Sequence, residues 1–411
     1  MLNQNIIWIF IRNVIPIFTR MASVLTSAGC FERRAWQAWM SMPHHVNVLK
    51  LHRVSRSRGT AAQWALWAGL LSACLLAVAK ADANRAINPA MGMTVISSTA
   101  GSGPVTIFYP TSAATTEVKR GPFTLQLAQD SVPVAGNRRI VVFSHGSGGA
   151  PWSAADLARS FVNAGYVVAM PEHVGDNYKD MHKAGPASWK LRPAEVSQAI
   201  DAVQLDSRFA GLIDFGRVGV YGTSAGGLTA LVLAGGKWSP ANFKRYCLAH
   251  MTDNFPACVG LAAQLKGNWG DAIKLAVASW VHRLRFGDET LYSHQDSRIQ
   301  AVLASVPMAT PFDLTTLAQP RVATGLIALD QDKWLAAAAH VRAVRAACAS
   351  CIMVLDLPAA GHGSLFSPWP PELAQSLTPL LVDPPKFVRA ELPMHYKKMV
   401  DFFDTTLEQQ K

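Results

Sequence analysis

The sequence predicts an α/β fold, with a mostly parallel central sheet flanked by helices and a cap inserted after the helix that follows Gly222-Thr223-Ser224-Ala225-Gly226. Three observations carry that prediction. From about Pro104, short apolar runs alternate with longer amphipathic ones, the pattern of strands joined by crossover helices. The 411 residues, half of them apolar, suffice to bury a full core. The alternation breaks once, between Gly235 and Arg298, where some sixty residues hold Trp238, Cys247, Cys258 and a helix-like Ile273 to Leu284 but few strand signals. So long a connection is exceptional in a compact domain and most often lies over a site. The insertion is therefore set at about 237–298 within a domain spanning 82–411.

Residues 1–81 read as a leader and signal segment. Arg53, Arg56 and Arg58 precede the apolar run Trp64 to Ala79, and Ala79-Lys80-Ala81 offers small residues for cleavage. The run is shorter than the roughly twenty residues a spanning helix needs. Leu71-Ser72-Ala73-Cys74 resembles a lipoprotein box, although the chain stays apolar from Leu75 to Val78. The expectation is soluble export to a periplasm or the exterior, with membrane contact only through an uncleaved or lipidated N-terminus. Before this segment, Ile6 to Phe18 is too short to span a bilayer, and Met40 or Met42 would make more ordinary starts. The formal charge of +11 is concentrated here: nine of the 38 Lys and Arg and one of the 27 Asp and Glu lie in residues 1–81. The remainder carries +3, an ordinary balance that argues against a nucleic-acid partner.

Taken in order, the predicted strands are Val105 to Tyr109, Phe123 to Leu127, Ile140 to Phe143, Tyr166 to Met170, Val218 to Tyr221, Ala301 to Val306, Ala323 to Ala328 and Ile352 to Leu357. Between them, a helical segment beginning at Ser153 puts Leu157 and Phe161 on one face, and one beginning near Pro193 does the same for Val196, Ile200 and Val203. Leu228 to Leu233 continues from the serine motif. A last helix runs from about Leu392 to Leu407 with Met399, Phe402 and Phe403 turned inward. Beyond residue 81 four cysteines remain, an even number suited to an oxidising compartment. Three connectivities are open, and Cys247 with Cys258 and Cys348 with Cys351 close the shortest loops. The C-x-x-C spacing of the second pair also suits a redox site or half a metal site, but no second C-x-x-C accompanies it.

The chemistry starts at Ser224, set on a sharp turn between the apolar run Val218 to Tyr221 and a helix. A serine hydroxyl is a weak nucleophile until a base removes its proton, and such a turn holds the oxygen clear of the sheet. Ser144-His145-Gly146-Ser147-Gly148-Gly149 directly follows another strand, and its glycines let backbone N–H groups approach a ligand closely. Acyl transfer needs two donors aimed at the developing oxyanion, for which the backbone N–H groups of Ser147 and Ala225 are nominated. A phosphate loop is the competing reading, but the segment has neither P-loop nor dinucleotide-site spacing. His362, flanked by Gly361 and Gly363 after the last sheet strand, is the expected base, histidine being the residue type suited to general-base work near neutral pH. His173, also at a strand end, is the runner-up, but it precedes the serine. For the acid that orients the imidazole, Asp332 stands three residues beyond its strand, Asp330 is the alternative, and Asp313 is a lesser one. An N-cap before Trp334-Leu335 is the structural reading of Asp332. The scheme requires no metal and no cofactor.

Several of these pieces together resemble one family. They are Phe108-Tyr109-Pro110-Thr111, Phe143 to Gly149, Arg192-Pro193, Gly222 to Gly227, Asp296 to Val302 and Gly361-His362. The run from about Gly92 to Leu407 resembles the bacterial dienelactone-hydrolase-related and platelet-activating-factor acetylhydrolase-like branch of α/β-hydrolases. The resemblance implies an α/β-hydrolase fold and a Ser-His-Asp esterase acting on small-molecule or lipid esters without metal or cofactor. Dienelactone hydrolases proper use a cysteine nucleophile, whereas position 224 is serine. In the animal phospholipase members the acid follows the preceding strand, whose counterpart lies near Ser305, which is not acidic; that favours Asp332.

An exported serine esterase is thus the leading expectation, beside an acyltransferase with the same triad, a peptidase, or a silent binding protein on the same fold. Substrate preference depends on the segment from Trp238 to His294. There Trp269, Trp280 and Phe286 either line an apolar acyl pocket or pack the cap. Oligomeric state is not legible.

Overall fold

A computed structural model of the chain describes residues 89–98, 101–260, 264–369 and 381–408. The expected leader and signal segment, Cys74 with it, lies outside them. Twelve strands are present among the described residues. They are β1 (Ala90–Ile96), β2 (Val105–Thr111), β3 (Thr116–Arg120), β4 (Phe123–Gln129), β5 (Ile140–Ser144), β6 (Val167–Pro171), β7 (Val218–Thr223), β8 (Lys237–Trp238), β9 (Ile299–Ser305), β10 (Phe312–Asp313), β11 (Ala323–Leu329) and β12 (Ile352–Leu357). Eight α-helices alternate with them: α1 (Ala155–Asn163), α2 (Pro186–Leu205), α3 (Ala225–Leu233), α4 (Pro240–His250), α5 (Phe255–Val259), α6 (Gly270–Arg285), α7 (Val341–Ala347) and α8 (Leu392–Glu408).

Ten strands form one sheet in the order β12-β11-β9-β7-β5-β6-β2-β1-β4-β3. The six from β12 to β6 are parallel, so the ends of β5, β7, β11 and β12 all leave the sheet at the same edge. β2 turns antiparallel against both β6 and β1. The sheet is covered on both faces. Along β5, Ile140 and Val142 join one apolar cluster with α2 and α3, whereas Val141 and Phe143 join the other with α1 and α8. That two-sided burial explains why β5 reads as a continuous apolar run and not as an alternating one.

All eight predicted strands are present within one or two residues of their expected ends. The sequence reading misses β1, β3 and the ribbon β8-β10: β1 buries Met91 to Thr94 without alternation, β3 buries only Val118, and β8 and β10 have two residues each. The helix expected to begin near Pro193 begins seven residues earlier, at Pro186, and Pro193 lies inside it. Proline suits a first helical turn, and Pro186 takes that place. Trp189, Arg192 and Val196 bury the face that carries the second proline, so packing offsets the lost backbone bond. Both disulfides form as the shortest loops suggest, Cys247 with Cys258 and Cys348 with Cys351. The first ties α4 to α5.

Candidate functional site

Ser224 sits between the end of β7 and the start of α3 with φ 57° and ψ −116°, a conformation rare for any residue but glycine. The neighbouring chain holds it there. Its N–H donates to Ser305 O at 3.0 Å, and its carbonyl accepts from Met308 N–H at 3.2 Å. The motif glycines are required by space: a Cβ at Gly222 would fall 1.9 Å from Gly226 O, and one at Gly226 only 1.8 Å from Ser144 O. No side chain larger than hydrogen fits either place.

His362 follows β12, and its Nδ1 donates to Asp332 Oδ2 at 2.6 Å. The other oxygen of the same carboxylate accepts from Trp334 N–H and Leu335 N–H, each at 2.8 Å. The capping and orienting readings of Asp332 are therefore both met, by different oxygens. Asp330 faces elsewhere, in a bidentate pair with Arg342, and Asp313 Oδ1 accepts from Thr315 N–H. Neither reaches the imidazole. The Trp334 ring lies 4.9 Å from that of His362. With Nδ1–H committed to a carboxylate, the lone pair of Nε2 is available to accept a proton, and Nε2 has no partner among the described residues. Ser224 Oγ has none either.

Two cavities meet at Ser224. One, of about 410 Å³, is lined by Ser224, His362, the glycine loop and several aromatic side chains, Phe143, Trp152, Tyr178 and Phe366 among them. The other, of about 330 Å³, has walls that include Ala225, Phe243, Cys258, Val259, Phe286 and Met308. Ser147, Met181, Ser224 and Trp334 border both. Residues from the segment 237–298 thus wall the second cavity. Phe286 lines it as one expectation had it, whereas Trp269 and Trp280 neither line a cavity at the serine nor pack inward; both are exposed.

The glycine loop after β5 closes on the serine. A Cβ at Gly146 would lie only 3.3 Å from Ser224 Cβ, so the hydrogen there eases the loop's close approach to the serine. The backbone N–H groups of Ser147 and Ala225 have no acceptor among the described residues, and both residues border the cavities. The Ser147 hydroxyl and the Gly148 N–H are engaged, donating to the two oxygens of Asp176 at 2.9 and 3.1 Å.

Asp176 belongs to a buried polar network that the sequence reading did not assemble. Its carboxylate pairs with Arg192 at 2.8 Å, both side chains fully buried. The guanidinium also donates to His145 O and Asp176 O, and its Nε to Ser188 Oγ. Burial acts to raise the Asp176 pKa, but the adjacent guanidinium outweighs it and holds the carboxyl below its ordinary value. Beside the pair, His173 Nδ1 donates to Glu195 Oε2 at 2.6 Å while its Nε2 accepts from Ser144 Oγ at 2.8 Å. The runner-up base is thereby committed to a second serine and a second carboxylate. The His145 ring lies against it, centroids 4.7 Å apart and tilted by 56°, and donates through Nδ1 to its neighbour Gly146 O. Burial pushes both imidazoles well below their ordinary value, with Arg192 adding to it at each and His173 adding to it at His145. One signal was available: Arg192 and Glu195 fall on the apolar face set by Trp189, Val196 and Val203, and a charge on such a face implies a buried partner.

His340 is a third buried imidazole near the site. Its Nδ1 accepts from Ala309 N–H at 3.0 Å, so Nε2 carries the proton, without a partner among the described residues. Burial lowers its pKa from 6.5 to about 4, with Asp332 opposing and His362 adding to the shift. A folded value below the unfolded one makes stability rise with pH: the contribution is complete above about 6.5 and is lost as pH falls towards about 4. Urea unfolding across that window is expected to show a loss of up to about 3 kcal/mol from this group. His340→Gln should give a shallower pH slope; an unchanged slope would show that His340 titrates normally.

Among the described residues no group of three or more His, Cys, Asp or Glu is placed to hold a metal ion. The chain matches no protein-family model and no curated protein.

Proposed function

We propose that the protein is an exported serine hydrolase that cleaves carboxylic esters, built as an α/β-hydrolase with the segment 237–298 as its cap. In this reading Ser224 attacks the ester carbonyl and His362 takes the proton at Nε2 and returns it to the leaving alcohol. Asp332 holds the imidazole tautomer through Nδ1–H and stabilises the imidazolium. The N–H groups of Ser147 and Ala225 receive the oxyanion, and water then resolves the acyl-enzyme. The observation that carries the reading is the junction of Ser224, on a strained strand-to-helix turn, with the Asp332–His362 pair at one wall of an apolar cavity. Two apolar cavities bordering one serine suit an ester, whose acyl and alcohol parts leave the reacting carbon in different directions. Resemblance to the dienelactone-hydrolase-related branch agrees with this chemistry. Export is supported by the two disulfides and by the basic-then-apolar segment before residue 81.

The test is turnover of chromogenic esters of graded acyl length, together with covalent labelling by a fluorophosphonate mapped by mass spectrometry. Hydrolysis with the label on Ser224 is expected. Absence of both turnover and label across the series would overturn the reading.

The acid assignment has its own check. Asp332→Asn is expected to lower kcat by about 10⁴-fold, because an amide in that place favours the wrong imidazole tautomer. Asp330→Asn should change kcat by less than about 2-fold, since an exposed pair with Arg342 contributes little. Equal losses in the two variants would contradict the assignment.

A further inference from the structure

Helix α6 is turned inside out. Its inward side carries the buried Ala278 and His282, whose Nε2 donates to Cys258 O at 3.0 Å. Its outward side carries Trp269 at the N-cap, then Ile273, Val277, Trp280 and Leu284, at successive spacings of four, four, three and four. That spacing aligns them as one stripe, and each is between 53% and 84% exposed. A folded chain leaves single apolar residues in water freely, but a continuous apolar stripe with two tryptophans marks a surface that meets something.

The charges say what it meets. Lys266, three residues before Trp269, and Arg283 and Arg285, on either side of Leu284 in the chain, are exposed and have no ion-pair partner among the described residues. Asp271, the helix's one acid, is neutralised by Lys274 at 2.8 Å and accepts from the N–H groups of Lys266 and Gly267. We infer that the outer face of α6 docks on an anionic lipid–water interface, with the tryptophans at headgroup level and the cations over the lipid phosphates. Pairing with a second copy through this face would bring unpaired cations against one another, which the lipid surface avoids.

The same helix stands over the proposed catalytic site. Cys258, Val259 and Phe286 share a groove with Ile273, Val277 and Ala278 of this helix and also wall the second cavity at Ser224. If the ester-hydrolase reading holds, on which this step rests, the substrate is an ester held in a lipid surface and drawn into the cavity behind the docking helix. The binding itself is independent of that reading.

The experiment is flotation of the full chain with vesicles of phosphatidylcholine containing phosphatidylglycerol, against phosphatidylcholine alone, with tryptophan emission followed in parallel. The mixed vesicles are expected to bind the protein and shift its emission to the blue. Trp269→Ser/Trp280→Ser should weaken binding by at least about 10-fold. Arg283→Gln/Arg285→Gln should weaken it by roughly 5-fold per cation. Neither tryptophan lines the cavities at Ser224, so hydrolysis of a soluble short-chain ester should be unchanged in the first variant, which also verifies its fold. A parent that ignores both vesicles, a tryptophan variant that binds as the parent does, or a parent dimer that dissociates in that variant would each overturn the inference. A parent that binds vesicles yet hydrolyses no ester would sink only the catalytic reading.

Discussion

Ser224→Ala is expected to lower kcat for a chromogenic short-chain ester by about 10⁴-fold or more, while urea unfolding stays within about 0.5 kcal/mol of the parent. The small structural effect follows from the surroundings of the side chain. Ser224 Oγ makes no hydrogen bond among the described residues, and the turn is fixed by the backbone bonds to Ser305 and Met308, which alanine keeps. Alanine meets the same cost as serine at a φ of 57°. The large catalytic effect follows from removing the one atom that would form the acyl bond, leaving only the donors and the imidazole. Steady-state kinetics and denaturation on one purified preparation check both halves. Full residual turnover in the folded variant would remove Ser224 from the reaction.

Arg192→Met should be the most destabilising conservative change near the site, by about 3–5 kcal/mol, because it leaves the carboxylate of Asp176 buried without its cation. Activity should fall as well. The guanidinium holds His145 O, and Asp176 holds the Ser147 hydroxyl and the Gly148 N–H, so the loop that carries the Ser147 N–H loses its anchor from two directions. The expected signature is a fall in kcat that exceeds the change in KM, since an oxyanion donor acts in the transition state more than in the ground state. Removing both charges, as Arg192→Met/Asp176→Asn, should restore part of the stability, because the cost lies in the uncompensated charge. A double variant less stable than the single by the full cost of another such change would show that the two residues do not act as a pair.

Asp332 illustrates what was legible. Its place three residues past β11 pointed to an acid, and its place before Trp334-Leu335 pointed to a helix-type cap; the two expectations competed only because a sequence does not assign oxygens. In the folded chain Oδ1 caps and Oδ2 meets His362. Asp330, two residues earlier, follows the same strand but leaves on the side of Arg342. His173 was legible as a strand-end histidine of interest, and its chain position excluded it as the base. Its actual partners, Ser144 and Glu195, come from β5 and α2, and no local pattern brings those together. The outward tryptophans of α6 were misread for a related reason. A helical period shows that Trp269, Ile273, Val277, Trp280 and Leu284 share a face, but not whether that face looks in or out.

By itself the sequence determined eight of the strands, the serine turn and the glycine loop, and put the shortest-loop pairing of its cysteines first among three, because each depends on residues within a few places of one another: an apolar run, a required glycine, a short loop between thiols. Tertiary structure alone decided which carboxylate meets His362, that Asp176 and Arg192 lie beneath the glycine loop, and which way α6 faces. These depend on long-range approach, where the parallel sheet gathers the ends of β5, β7, β11 and β12 at one edge, and desolvation there permits only charges that have found a partner.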